Sequence, residues 1–216
     1  MTEHNFEQMR RAMVASQLRT TGINDPRVLA AMGEVPRERF VPADRVPAAY
    51  ADALVPLGNG RELNSPMSTG RILTEASPQD GERVLLIGAA TGYTAAVLAM
   101  LASSVMAVEE DPRLLEVARG ALAGSPVKLV EAPLTQGHSE GAPYDVIIID
   151  GAVEFVPDAL VAQLVDGGRV GLAILSQGVS QIALGRRAGA GFGVAPVSDI
   201  ATTILPGFVK PRTFTF

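Results

Sequence analysis

The residues with the clearest chemical potential in this sequence lie at 88–92, Gly-Ala-Ala-Thr-Gly. They follow an apolar run at 84–87 and precede a segment of helical character at 94–101. This order predicts a buried parallel strand, a tight turn and the start of a helix. Gly88 and Gly92 allow a ligand to approach the backbone closely, beside the first N–H groups of the helix.

An acidic pair follows the turn after about twenty residues, a spacing typical of nucleotide-binding α/β units. Glu109 and Glu110 end a second apolar run at 105–108. In such units the acid at this strand end accepts hydrogen bonds from ribose hydroxyls, although strand-end acids are often only solvated charges. A nucleoside cofactor is the favoured interpretation. The candidate cofactor-binding residues are Gly88, Ala89, Ala90, Thr91, Gly92, Tyr93, Glu109 and Glu110.

The composition narrows the class of protein. The 216 residues, 47% of them hydrophobic, suffice for one domain with a sizeable core. The absence of cysteine excludes thiolate catalysis, and two distant histidines, His4 and His138, argue against a histidine metal cluster, so no metal site is predicted. The net charge of −5 argues against a nucleic-acid partner. Without a long apolar run or signal-peptide features, we expect a cytoplasmic protein without membrane contact.

The elements that must position these residues alternate from residue 83 onward. Apolar, strand-like runs alternate with helix-compatible segments, which predicts a doubly wound, mainly parallel sheet with helices on both faces. Two later strand candidates with glycines between them suit a hairpin. The expected strands lie at 84–88, 105–109, 127–131, 145–150, 169–175, 181–184 and 194–200, and the expected helices at 94–101, 112–123 and 157–164.

The N-terminal third has a different character. Apolar residues at helical spacing predict a helix through 6–22, and Asp25-Pro26 is typical of a helix start because an N-cap precedes proline. Pro36, Pro42 and Pro47 predict loops and short turns over 35–66, and such long irregular stretches are usually functional. We therefore expect a single domain over 1–216, with an N-terminal helical and substrate-loop extension over 1–75 and a Rossmann-like core over 76–216.

The sequence resembles the protein-L-isoaspartate O-methyltransferase family over nearly its whole length. The N-terminal part of the resemblance is specific, because methyltransferases in general lack it. It implies a seven-stranded methyltransferase sheet that binds S-adenosylmethionine and releases S-adenosylhomocysteine. The matching motifs are Met13-Val14, Gln17-Leu18, Gly22-Ile23, Asp25, Arg27-Val28-Leu29, Val35-Pro36-Arg37, Phe40-Val41-Pro42, Tyr50-Ala51-Asp52, Asn64-Ser65-Pro66, Tyr144-Asp145 and Gly167-Gly168-Arg169.

The resemblance also implies an activity and roles for individual residues. The family transfers a methyl group to the free α-carboxylate of L-isoaspartyl residues in damaged proteins or peptides, which is a protein repair reaction. Residues 88–92 then hold the methionine part of the cofactor and Glu109 the ribose, while Asn64 and Ser65 orient the acceptor as the catalytic pair. A carboxylate is already nucleophilic, so alignment and exclusion of water suffice and no general base is needed. A monomer or a homodimer is expected.

Four positions depart from the family pattern: Leu86, Ala90, Pro133 and Asn64. The family places an acid, a glycine, an aspartate and a hydroxyl residue there. The hydrogen bonds lost at Leu86 and Pro133 predict weaker binding of S-adenosylhomocysteine than in a typical member. Two alternatives remain open: a methyltransferase with another acceptor, and a non-catalytic member that serves as an interaction module.

Overall fold

The architecture is a sheet of seven strands with helices on its faces. The computed structural model describes residues 3–210. Five adjacent strands run parallel, and the last two in the chain continue the sheet in antiparallel pairing to one edge. The prediction of a mainly parallel seven-stranded sheet preceded by helices is confirmed. In spatial order the strands are β5 (Lys128–Glu131), β4 (Ser104–Glu109), β3 (Arg83–Ile87), β6 (Tyr144–Val153), β7 (Leu164–Ser176), β8 (Val179–Ala188) and β9 (Gly191–Asp199).

A separate two-stranded hairpin lies before the sheet in the chain. It consists of β1 (Val55–Gly58) and β2 (Arg61–Leu63), which pair antiparallel. Sequence patterns predicted only loops and turns over 35–66. Both strands were missed because each has too few residues for an alternating apolar and polar pattern to be recognised. The rest of that stretch contains two short 3₁₀ segments, Arg37–Phe40 and Ala43–Ala48.

The helices are short and amphipathic or buried. The long helix expected through 6–22 forms, but its second half is π-helical and 3₁₀ before the chain turns at Gly22, whose φ is 85°. The helix over 66–76 was not predicted. The α-helices are α1 (Glu3–Ala12), α2 (Pro26–Glu34), α3 (Pro66–Ala76), α4 (Tyr93–Leu98), α5 (Pro112–Ala121) and α6 (Asp158–Val161).

Three of these helices begin in the same way. Asp25, Ser65 and Asp111 are N-caps whose side chains accept backbone N–H groups, and proline follows each of them in the first turn. Proline fits there because its missing N–H has no partner inside the helix anyway. The helix start predicted at Asp25-Pro26 is confirmed.

The two central strands are apolar because both faces of the sheet are covered. In β3, residues 84–87 are at most 1% exposed, and residues 146–149 of β6 are fully buried. The chain moves from β3 outward to β4 and β5, and then returns to β6 on the other side of β3. Ligands of open α/β sheets bind at the carboxyl ends of the strands that flank such a reversal. The candidate site is therefore expected where β3, β4 and β6 end.

The segment after β9 returns across this edge of the sheet. Ala152 N–H donates to Thr203 O at 2.7 Å, and Leu205 N–H donates to Ala152 O at 3.1 Å. Leu205 and Phe208 are buried at 2% and 1% exposure and belong to the core beside β6. The end of the described chain thus closes the carboxyl edge. Across the described residues, no helix combines the length and the apolar character that crossing a bilayer requires.

Candidate functional site

The glycine-bounded turn at 88–92 joins β3 to α4 as predicted. Gly88 and Gly92 have φ values of 81° and 100°, a backbone region that other residues rarely adopt. A Cβ on Gly92 would lie 2.9 Å from a methyl group of Leu122, and one on Gly88 would lie 3.1 Å from Leu205. Both glycines are therefore required by conformation and by packing.

Ala90 lies in the middle of this turn with φ at 50°. This left-handed conformation costs a non-glycine residue about 1–2 kcal/mol. Its N–H donates to Glu109 Oε2 at 2.7 Å, so the turn and the end of β4 are joined directly. Alanine at this position therefore carries a conformational cost that the family's glycine would avoid.

Glu109, the last residue of β4, is fully buried. Besides Ala90, the N–H groups of Glu110 and Asp111 donate to its carboxylate, each at 3.0 Å from Oε1. Arg61 forms a bidentate ion pair with it, with Nη1–Oε1 at 2.5 Å and Nη2–Oε2 at 2.9 Å. Glu109 is therefore not a solvated strand-end charge but the centre of a buried polar cluster.

Arg61 reaches this cluster from the β1–β2 hairpin. Its side chain is only 6% exposed, and its Nε has no hydrogen-bond partner in the described part of the chain. The sequence analysis did not identify Arg61 as a site residue. Glycines at 58 and 60 marked a turn before it, but a contact 48 residues away in the chain is set by tertiary structure.

An open cleft of about 600 Å³ lies outside this cluster, at the ends of β4 and β5. Glu110, at the predicted ribose edge, lines it, and Glu110 Oε2 also accepts from Leu134 N–H at 3.2 Å. Its volume falls within the usual range for small-molecule sites, about 300–1,000 Å³. The lining residues are Asn59, Arg61, Glu110, Asp111, Glu131, Ala132, Pro133 and Pro206.

Asn64, predicted to orient the acceptor, is 1% exposed and connects three segments. Its Nδ2 donates to Asp150 Oδ1 at 2.8 Å and to Asp150 O at 3.0 Å. Its Oδ1 accepts from Thr203 N–H at 2.9 Å. The amide thus fixes the start of α3, the end of β6 and the returning C-terminal segment relative to one another.

Asp150 lies inside β6 and is 4% exposed. Thr94 Oγ1 donates to its Oδ2 at 2.5 Å. Burial raises the pKa of Asp150 above its ordinary value of 3.8, while the hydrogen bonds from Thr94 and Asn64 act in the opposite direction. Asp150 is a buried acid at the point of strand reversal, and it adds to the polar cluster.

Ser65, the second predicted acceptor residue, is the N-cap of α3. Its Oγ accepts from Ser68 N–H at 3.2 Å and lies 3.0 Å from Ser68 Oγ. Ser68 Oγ in turn donates to Ala201 O at 2.6 Å. The hydroxyl expected to meet a substrate therefore performs a local structural task.

Tyr93 is fully buried and packs edge-on against Phe40, with ring centroids 5.8 Å apart. The guanidinium carbon of Arg37 lies 4.6 Å from the centre of the Tyr93 ring, a cation–π contact. Burial lowers the pKa of Arg37 and raises that of Tyr93. Arg37 Nη1 and the Tyr93 hydroxyl are buried and have no hydrogen-bond partner among the described residues. Each can therefore still form a hydrogen bond.

The structure brings most predicted site residues together at one edge of the sheet. Glu109 touches the turn directly, and Asn64 meets Asp150 beside it. Arg37, Arg61, Thr94 and Asp150 join the cluster without having been selected as site residues. Leu86, where the family pattern has an acid, is a fully buried core residue.

Comparison with known proteins agrees with this architecture. The family model "Protein-L-isoaspartate(D-aspartate) O-methyltransferase (PCMT)" matches residues 9–192. A protein-L-isoaspartate O-methyltransferase of Methylorubrum populi is 41% identical over 163 residues, which cover 74% of this chain and 77% of that protein. A protein of the same name from Methanoregula boonei is 38% identical over 183 residues, covering 83% and 84% of the two chains.

Solved structures support the fold. One protein-L-isoaspartate O-methyltransferase aligns with a TM-score of 0.80 at 24% identity, covering 92% of this chain and 66% of its own. A Plasmodium falciparum structure with the same enzyme description, in complex with S-adenosyl-L-homocysteine, aligns with a TM-score of 0.75 at 16% identity, covering 90% and 96%. The family model spans most of the chain, and two relatives share more than one third of their aligned residues with it. The chain therefore belongs to the protein-L-isoaspartate O-methyltransferase family.

Proposed function

We propose that the protein is an S-adenosylmethionine-dependent carboxyl methyltransferase that acts on L-isoaspartyl residues of damaged proteins or peptides. The observation that carries the proposal is the continuity of the family match from residue 9 to residue 192. The match includes the N-terminal extension as well as the sheet. A match confined to the sheet would support only the broader class of methyltransferases.

The residues at the carboxyl edge fit a nucleoside cofactor, with one rearrangement. Gly88 and Gly92 keep side chains out of the turn, and Glu109 with Glu110 lies where ribose hydroxyls are expected. The cleft beside them has the volume of a small-molecule site. Arg61 must leave Glu109 before hydroxyls can reach it. S-adenosylmethionine, when bound, supplies an electrophilic methyl group.

The acceptor side is proposed around the start of α3. Asn64 positions Asp150 and the segment at Thr203 through its amide, and Ser65 fixes the first turn of the helix. We propose that these two residues shape the place of the incoming carboxylate. Buried surroundings help because water would otherwise stabilise the carboxylate and slow its attack.

Methyl transfer to two peptides of identical composition tests the proposal. One peptide contains an L-isoaspartyl residue, and the control contains a normal aspartyl residue at the same place. Radiolabelled methyl from S-adenosylmethionine is expected in the first peptide only. Equal labelling of both, or labelling of neither by a protein that binds the cofactor, would favour the alternative of another acceptor.

We propose that residues 1–216 act as one domain, in the cytoplasm, as a monomer or homodimer. Contact between the extension and the sheet supports one domain: a Cβ on Gly171 of β7 would lie 3.1 Å from the backbone oxygen of Ile72 in α3. A single cooperative unfolding transition and sedimentation at several concentrations would test the domain count and the oligomeric state.

A further inference from the structure

The buried ion pair between Arg61 and Glu109 occupies the position expected for the cofactor ribose. Glu109 accepts from three backbone N–H groups, those of Ala90, Glu110 and Asp111. Arg61 adds two further donors. An ionised carboxylate offers about four acceptor sites, so this carboxylate has no free site for a ribose hydroxyl.

Among the described groups that bind Glu109, only Arg61 is free to leave without unfolding a turn. The N–H of Ala90 belongs to the turn at 88–92, and the other two belong to the junction of β4 and α5. Arg61, by contrast, is the first residue of β2 in a two-stranded hairpin that is not part of the main sheet. Its long side chain also lines the open cleft.

We propose that Arg61 competes with the ribose diol of the cofactor for Glu109, and that it thereby sets the affinity for S-adenosylmethionine and S-adenosylhomocysteine. This inference rests on the proposed function, because it assumes a nucleoside ligand at Glu109. When the ligand binds, the guanidinium moves outward into the cleft. There the carboxylates of Glu110 and Glu131 line the wall and offer it new partners.

The competition lowers the apparent affinity by a simple rule. The observed dissociation constant equals that of the open state divided by the fraction of molecules in which Arg61 has left. Breaking a buried ion pair is unfavourable, so that fraction is small. A shorter neutral side chain at position 61 raises the fraction of molecules in the open state and therefore tightens cofactor binding.

The rival explanation is that the ion pair only holds the hairpin against the sheet. Removing Arg61 would then loosen the site and weaken binding. The two explanations predict changes of opposite sign in the affinity for the ligand when Arg61 is replaced. A titration measures this change without any assay of turnover.

The experiment is calorimetric titration of the full-length protein with S-adenosylhomocysteine. Arg61→Gln is expected to bind about tenfold or more tightly than the wild type. In the background of Glu109→Gln, the same change at 61 is expected to have no effect, because competition for the carboxylate requires the carboxylate. Should Arg61→Gln fail to fold, Arg61→Lys replaces it, because lysine keeps the charge but loses the bidentate geometry; tighter binding is again expected.

Arg113→Gln is the matched control. Arg113 also holds the hairpin, since its Nη1 donates to Leu57 O at 2.8 Å, but its guanidinium pairs with Asp111 and not with Glu109. This variant loses the same charge and is expected to bind as the wild type does. If it gains affinity equally with Arg61→Gln, general charge removal explains the effect and the proposal is wrong.

The remaining outcomes separate the two proposals. If the wild type binds S-adenosylhomocysteine and Arg61→Gln binds it equally well or more weakly, the competition is overturned. The proposed methyltransferase function then stands. Absence of binding in both proteins overturns the cofactor assignment and the competition together.

Discussion

At the scale of single residues, buried charges dominate the behaviour of this site. Glu109 and Glu131 show how environment decides the role of the same residue type. They end neighbouring strands and are paired in register, yet Glu109 is fully buried while Glu131 is exposed. The sequence pattern located Glu109 correctly at the strand end, but no local feature indicated that its side chain is fully buried. The partner Arg61 could not be predicted, because nothing local links the two positions.

Replacing Glu109 is therefore expected to destabilise the protein strongly. Glu109→Ala leaves the Arg61 charge buried without a partner, which typically costs about 3–5 kcal/mol. Urea unfolding measures the difference. Glu131→Ala, the matched change in the adjacent strand, should alter the unfolding free energy by less than about 0.5 kcal/mol. Equal small losses in both variants would mean that the ion pair adds nothing to folding.

Asp150 is expected to make stability depend on pH. Its pKa in the folded protein lies above the ordinary 3.8, because burial disfavours the charged form. Between these two pKa values the folded state holds more protons than the unfolded state, so stability falls as pH rises through the window. The steepest slope is about 1.4 kcal/mol per pH unit.

Asp150→Asn removes the pH dependence that comes from this carboxyl group and provides the comparison. The difference in unfolding free energy between wild type and variant should favour the wild type most below pH 3.8. As the pH increases, this stability advantage of the wild type over the variant should decrease steadily. A difference that is constant from acid to neutral pH would show that Asp150 ionises equally well in both states.

At the scale of elements, the predictable parts are those that carry their own local signal. Strands β3, β4 and β6 are apolar runs ended by polar residues, and the helix at Asp25-Pro26 has a cap and a proline. Helix α3 has the same start, yet Ser68, Thr69 and Gly70 are weak helix formers, and the sequence analysis predicted no helix there. The helix forms because of packing: a Cβ on Gly70 would lie 2.6 Å from Ile23.

The cap of α3 permits a direct test. Ser65→Ala removes the acceptor for Ser68 N–H and is expected to lower the unfolding free energy by about 1 kcal/mol. Asp25→Ala, at the corresponding position of α2, should cost a similar amount. If Ser65 only caps the helix, its variant keeps the methylation rate once folded. A rate loss far beyond that of Asp25→Ala would instead support the predicted contact with the acceptor.

At the scale of the whole molecule, the end of the described chain completes the candidate site. Leu205 packs over Gly88, and Thr203 is held by Asn64, so residues more than a hundred positions apart meet at one edge. The family resemblance and the strand rhythm predicted the sheet and the position of its carboxyl edge. They did not predict this closure, because no local pattern around residues 200–208 indicates where the segment packs.

Phe208 should be important for stability although it follows the last strand. It is 1% exposed and belongs to the core beside β6, so Phe208→Ala is expected to cost about 3–5 kcal/mol. The neighbouring Val209 is 61% exposed, and Val209→Ala should change the unfolding free energy by less than about 0.5 kcal/mol. Thermal or urea unfolding measures both. Similar values for the two variants would show that this segment does not belong to the cooperative unit.

The outer strands of the sheet bear on how two copies of this chain can meet. Strand β5 has only four residues and begins with an exposed Lys128. On the opposite border, β9 contains Pro196, which has no N–H to donate, and the pairing register shifts beside it. Such features discourage one sheet from adding strands to another. These borders therefore favour self-association through side-chain surfaces over a continuous intermolecular sheet, and they give partly unfolded molecules some protection from edge-to-edge aggregation.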